Sequence, residues 1–197
     1  YHGCGLGRFF DEVETRAILV SRLVSLSKGV SGVSYGLLQQ ITGLLHHDIL
    51  PRIPAEGSVG ASGDLTPLSY VAAALCGDRE VMVNTEIKPA ADALRAAGMA
   101  PIQLRPKEGL AIMNGTAVMT ALACLAWKRA DYLSRLSTRI TAYAVIGSAG
   151  NAHPFDETLF SVKPHAGQQR IAARLRTDLA SDRPPRNEKR LQDRYSL

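Results

Sequence analysis

The chain has 197 residues, 46% of them hydrophobic, and 23 Lys and Arg against 18 Asp and Glu give a formal net charge of +5. That is enough chain for one sizeable core with an ordinary globular composition, which excludes disordered and collagen-like classes. Cys4, Cys76 and Cys124 are odd in number and far apart. They fit neither a disulfide framework nor a metal cluster, and no metal is expected.

The first segment, Tyr1-His2-Gly3-Cys4-Gly5-Leu6-Gly7, is glycine-rich and reads as a loop. Its spacing is not that of a phosphate-binding P-loop, and no Lys-Ser/Thr follows. Asp11 with Glu14 three residues on is a capping-box start. Val13, Ala17, Val20 and Val24 then recur at helical spacing, widened by Ile18 and Leu23. Ser34 starts a second helix with Leu37, Leu38, Ile41, Leu44 and Leu45 apolar. His46 and His47 are adjacent, so they point about 100° apart on a helix and do not form a ligand pair.

Pro51 and Pro54 force an extended approach to Gly57-Ser58-Val59-Gly60-Ala61-Ser62-Gly63-Asp64-Leu65-Thr66-Pro67-Leu68. The tripeptide Ala61-Ser62-Gly63 has an unusual chemical capacity. Glycine leaves its backbone nitrogen unshielded by a Cβ and free in φ and ψ. That nitrogen can fold onto the carbonyl carbon of Ala61. Loss of water closes a five-membered ring, and loss of the Ser62 hydroxyl leaves an exocyclic methylidene. The product is an electrophile, which ordinary side chains do not supply. Asp64 or Thr66 caps the next helix, with Pro67 in its first turn, and that helix stops near Gly77. The electrophile thus sits at a helix N-terminus, where partial positive charge favours negative charge developing on it. The bland alternative is a glycine-rich loop before a buried helix.

Glu80 to Ile87 alternates around a turn-prone Asn84 and reads as a small hairpin. Pro89 to Ala97 is a short helix ended by Gly98. Lys107 to Thr116 follows, with an Asn114-Gly115 break. Thr116 to about Ser148 is the longest helical pattern and implies a bundle; Trp127 reads as a packing residue. The longest apolar run, Ala117 to Trp127, is too short to span a bilayer, and no membrane partner is expected. Ile171 to Leu179 is a further helix. The basic residues beyond Arg170 are interleaved with acids, so a solvated face or subunit contact is favoured over nucleic-acid binding.

Three stretches resemble motifs of the aromatic amino-acid ammonia-lyases, the family of histidine, phenylalanine and tyrosine ammonia-lyases and related aminomutases. They are Gly57 to Leu68, Lys107 to Thr116, and Gln192-Asp193-Arg194-Tyr195-Ser196-Leu197. Lys163 to Gln168 resembles a fourth motif, whose role in the family is structural. The resemblance implies a mainly α fold, a helical bundle of the ammonia-lyase type with a small β-hairpin excursion. It implies a single domain over 1–197, incomplete at both ends as an internal piece of a longer protein, and a cytoplasmic homotetramer. It implies a methylidene-imidazolone group (MIO) formed autocatalytically from Ala61, Ser62 and Gly63, with no external cofactor. Asn114 and Tyr195 lie near MIO and a small amino-acid substrate, with Gln192 in the substrate-binding set. Tyr1 and His2 align with positions that contact the tip of the substrate side chain, and the pair Tyr-His departs from the family's usual ones. A buried His2 needs a polar partner, which favours tyrosine, then histidine, over phenylalanine; a solvent-facing loop histidine is the alternative. The implied reaction is non-oxidative deamination to an aryl acrylate and ammonia. An aminomutase is the nearest alternative, and a non-catalytic helical interaction or nucleic-acid-binding module is the alternative from another class.

Overall fold

A computed structural model describes residues 3–180 and 192. Tyr1, His2 and Tyr195, named above for the site, lie outside the described residues, as does most of the third motif. The chain divides into two compact units, Tyr1–Ala126 and Trp127–Leu197.

The first unit opens with strand β1 (Leu6–Phe9), so the glycine loop gives way to a strand at Leu6. Helix α1 (Glu12–Leu26) starts as expected: the Asp11 carboxylate accepts from Glu14 N at 2.8 Å and the Glu14 carboxylate accepts from Asp11 N at 2.9 Å. The valine stripe, however, faces outward. Val13, Val20 and Val24 are exposed, and α1 instead buries Thr15, Ile18, Leu19, Arg22 and Leu26. The buried positions keep helical spacing but include an arginine, so a count of apolar residues selects the wrong face. Helix α2 (Tyr35–His46) is capped by Ser34 and buries Leu37, Ile41 and Leu44 against α1. His46 and His47 end it on the surface, their rings in an edge contact.

Strands β2 (Leu50–Pro51) and β3 (Pro54–Glu56) carry the chain to the glycine stretch. β3 pairs antiparallel with β1, Leu6 opposite Glu56. Helix α3 (Leu65–Leu75) is almost wholly buried and ends before Gly77, whose φ of +83° suits only glycine without strain. The hairpin β4 (Glu80–Val83) and β5 (Glu86–Pro89) turns through Asn84 and Thr85, both at positive φ, and adds β2 as a third antiparallel strand. Helix α4 (Ala90–Ala96) closes the excursion at Gly98. Helix α5 (Glu108–Met113) packs on α3, and α6 (Ala117–Gly147) follows after a three-residue break. Ile18, Leu19, Leu26, Ile41, Leu44, Leu68, Leu75 and Ile112 make one core, each gaining about 1.5–3 kcal/mol from burial.

In the second unit, the far part of α6 carries Ala142, which packs with Leu175 and Leu179 of α8 (Ala166–Ala180). A 3-10 turn at His153–Phe155 and helix α7 (Glu157–Ser161) link them. Arg139 pairs with Asp178 at 2.5 Å. Trp127, expected to pack, is 70% exposed in the single chain, and Leu133, Ile140 and Tyr143 are also exposed. The expected limit on apolar length also changes. Within Glu108–Gly147 a window of mean hydropathy 1.6 makes this the one described helical stretch long and apolar enough to cross a membrane by length and composition. Its first turns bury Ala117, Val118 and Ala121 in the core of the first unit, and 28% of the window is buried.

Candidate active site

The stretch Gly57 to Asp64 leaves β3 without regular structure and bends through residues 60–64. Three residues there have positive φ: Gly60 at 70°, Ser62 at 60° and Gly63 at 95°. Left-handed backbone at a serine is uncommon, and it turns the chain sharply at the middle of the tripeptide. Ala61 and Ser62 are exposed, while Gly63 is half-buried.

Gly63 is seated on Gly115. A Cβ on Gly63 would lie 2.5 Å from the Gly115 carbonyl oxygen and 2.8 Å from the Gly115 nitrogen. No side chain fits at position 63, so it must be bare for the two backbones to touch. Asp64 N donates to the same Gly115 carbonyl at 2.8 Å. The tripeptide of one motif and the Asn-Gly of another are thereby joined, more than 50 residues apart in sequence.

Asp64 fastens the joint. It is buried, at 4% exposure, and occupies the N-cap position of α3. The expectation that Asp64 or Thr66 caps α3 through its side chain is not met: α3 has no side-chain cap hydrogen bond. The Asp64 carboxylate serves α6 instead. Its Oδ2 accepts from Val118 N at 2.9 Å and Met119 N at 3.0 Å, and Oδ1 accepts from Ser58 Oγ at 2.8 Å. A carboxylate on the free N–H groups of a helix start gains from both hydrogen bonding and the helix dipole. One residue thus ties the glycine stretch, α3 and α6 together.

Asn114 is the C-cap of α5 and is exposed. Its neighbour Gly115 holds Gly63, so its amide is carried on the same junction as the tripeptide. α5 itself is gripped at its start. Glu108, 3% exposed, accepts from Ser34 N at 2.8 Å and Arg105 N at 2.7 Å. Burial pulls the Glu108 carboxyl up, but the N–H donors of Arg105 and Ser34 outweigh it and hold the group below its ordinary value. A depressed folded-state pKa stabilises above the unfolded value near 4.5 and is lost as pH falls through the folded value. Glu108→Gln is therefore expected to destabilise the protein at pH 7, with the difference from the unmodified chain shrinking below about pH 4. Denaturant unfolding of both at pH 7 and pH 3 checks this.

The chain enters beside α3. A Cβ on Gly3, the first described residue, would lie 3.2 Å from Ser69 Cβ and 3.3 Å from the Thr66 carbonyl. Gly5 N donates to Tyr70 Oη at 3.1 Å, and Arg79 donates to Gly3 O at 2.8 Å while stacking on the Tyr70 ring at 3.7 Å. The segment that follows His2 is thus anchored on the helix that follows the tripeptide. Gln192 is exposed.

The residues fit the group the family implies. The three precursor residues are present, the turn at Ser62 is tight, and Gly63 rests on a backbone that blocks its retreat. Among the described residues no group of His, Cys, Asp and Glu could hold a metal ion. Sequence alone did not single out Arg22, whose guanidinium donates to the carbonyls of Ala111 and Asn114. The signal was there: Arg22 stands in line with Ile18, Leu19 and Leu26.

The chain matches the family model described as aromatic amino acid lyase over residues 1–197. It is 43% identical over 199 residues to a histidine ammonia-lyase of Sorangium cellulosum, covering 100% of this chain and 39% of that protein. Among solved structures, it resembles a phenylalanine aminomutase of Pantoea agglomerans with a TM-score of 0.88 at 33% identity, covering 94% of this chain and 36% of that one. It resembles a phenylalanine ammonia-lyase of Rhodosporidium toruloides with a TM-score of 0.87 at 37% identity, covering 100% of this chain and 31% of that one. The mainly helical fold is the one expected.

Proposed function

The chain belongs to the aromatic amino acid lyase family, and from that premise we propose that the whole protein deaminates L-histidine non-oxidatively to an aryl acrylate and ammonia. The carrying observation is the seat of Gly63 on Gly115, which brings the tripeptide and Asn114 to one place. The tyrosine preference is set aside, because it rested on His2 and the curated sequence relatives are histidine ammonia-lyases. The reading toward histidine is supported by the curated relatives, histidine ammonia-lyases up to 43% identical to this chain.

Ala61, Ser62 and Gly63 would form MIO from the chain itself. The Gly63 nitrogen would bond to the Ala61 carbonyl carbon, whose oxygen leaves as water with the amide hydrogens of Gly63 and Ser62, leaving a double bond from that carbon to the Ser62 nitrogen. The Ser62 α-proton and hydroxyl leave as a second water. The closed group supplies an electrophile that turns an amine, a poor leaving group, into a good one. Asp64 and Gly115 hold the turn during closure. Asn114 can donate and accept, which suits the carboxylate and amine of an amino acid. Tyr195 and Gln192 remain proposed neighbours of the substrate, and Tyr1 and His2 of its side-chain tip.

The chain spans 39% of the length of its curated relative, so further site residues belong to the rest of the protein. A cytoplasmic homotetramer is part of the same reading. The exposed Trp127, Leu133, Ile140 and Tyr143 of α6 support an assembled state in which they are covered. An aminomutase is the second reading, favoured by the similarity to the phenylalanine aminomutase. Incubation of the full-length protein with histidine, tyrosine and phenylalanine, followed by aryl-acrylate absorbance and chromatography of amino acids, separates these. Histidine is expected to give the highest kcat/KM. Accumulation of a β-amino acid would favour the mutase, and faster turnover of tyrosine or phenylalanine would refute the histidine assignment.

A further inference from the structure

Arg22 is buried on α1, 4% exposed, among Ile18, Leu19 and Leu26. Its Nη2 donates to the Ala111 carbonyl and, at 3.1 Å, to the Asn114 carbonyl. Its Nε is buried and has no hydrogen-bond partner among the described residues. Burial lowers its pKa from the ordinary arginine value, yet a guanidinium keeps its charge in a protein. A buried charge whose partners are carbonyls rather than a carboxylate is costly, and an apolar side chain of similar volume would serve the core as well. What the guanidinium adds is direction.

Both acceptors lie at the C-terminal end of α5, where carbonyls lack helical partners and carry partial negative charge. A single amino nitrogen of Arg22, Nη2, bridges two of them, three residues apart. Gly115 sits directly under it: a Cβ there would collide with the guanidinium. The Gly115 carbonyl receives Asp64 N, and the Gly115 backbone leaves no room for a Cβ on Gly63. The order of contact is Arg22, Asn114 and Gly115, then Gly63 and Asp64.

We propose that Arg22 is a positioning residue for the reaction, holding the C-terminal end of α5 so that Asn114 and Gly115 stay seated against Gly63. This rests on the lyase reading for its link to activity, but the mechanical part stands on the contacts alone. Lysine is a poor substitute, because its ammonium is a strongly hydrated point charge on a flexible stem and lacks the rigid plane that fixes Nη2 between the two carbonyls. Glutamine offers one neutral donor.

The test uses Arg22→Gln and Arg22→Lys in the full-length protein, with hydrogen exchange, steady-state kinetics and intact mass. In the glutamine variant the Asp64 amide is expected to exchange about tenfold faster or more, while amides of Ile41 and Leu44 in α2 keep their rates. The kcat is expected to fall about 100-fold, the scale of a small misplacement of reacting groups. The lysine variant should recover part of both. A structural role alone would loosen α2 and Asp64 together and leave kcat per folded molecule unchanged, and that result overturns the proposal. So does unchanged Asp64 protection in both variants. If the unmodified protein shows no loss of two waters, the lyase reading fails, and the Asp64 exchange rates still decide what Arg22 holds.

Discussion

Replacing Ser62 by Ala is expected to lower deamination by the whole protein on the order of 10³-fold or more, while leaving it folded. The magnitude follows from removing the group on which the chemistry depends, which in covalent catalysis costs far more than losing a binding contact. Alanine has no hydroxyl to expel, so the second loss of water cannot occur and no methylidene forms. The fold has little reason to object. Ser62 is exposed, and the tightness of its turn is set by Gly63 on Gly115 and by Asp64. Alanine at φ of 60° is somewhat more strained than serine or glycine there, a cost of about 1 kcal/mol. Circular dichroism and thermal unfolding should therefore match the unmodified protein closely while kcat collapses. A variant that keeps a tenth of its activity would place the chemistry elsewhere.

Asp64→Ala is expected to damage stability and site together. The substitution removes the acceptor of Val118 N, Met119 N and Ser58 Oγ in a position with 4% exposure. Hydrogen bonds to a charged acceptor contribute about 1.5–3 kcal/mol each and a lost cap about 0.5–2, and these overlap, so a net loss of about 2–4 kcal/mol follows. Denaturant unfolding at pH 7 measures it. The larger effect is on the turn. Without the carboxylate the glycine stretch loses its side-chain tie to the start of α6, and the bond from the residue 64 backbone N to the Gly115 carbonyl is left to hold Gly63 in place. The folded fraction of the variant is expected to carry mostly unclosed tripeptide. Asp64→Asn keeps one accepting oxygen and should fall between the two. A destabilised variant whose folded molecules are all closed would show that Asp64 serves the fold only.

Much of this was legible in the residues. The capping box at Asp11 and Glu14, the Ser34 cap, the hairpin around Asn84 and the long helix after Thr116 are local signals, and each forms as read. Turn chemistry and caps act over a few residues, so sequence neighbours suffice to find them. Two misassigned features of the site and its support were decided at long range. The face that α1 buries was set by what α5 offers, two carbonyls for Arg22, and not by the valines. The side chain of Asp64 was drawn from its own helix to α6, 54 residues on, because those N–H groups had no other partner in view. Likewise Gly115 reads as a helix break in sequence, whereas in space it is the floor beneath Gly63. The tripeptide could be named from sequence because its chemistry is intramolecular; its support could not.

The central claim is that Ala61, Ser62 and Gly63 close into an electrophile. The most direct measurement is the intact mass of the purified full-length protein, with a peptide map of the segment around residues 57–68 and Ser62→Ala as the comparison. A mass lower than the sequence by two waters, located to that segment and absent in the alanine variant, is the result predicted. A mass equal to that of the unmodified sequence, in protein that is folded and whole, would contradict it.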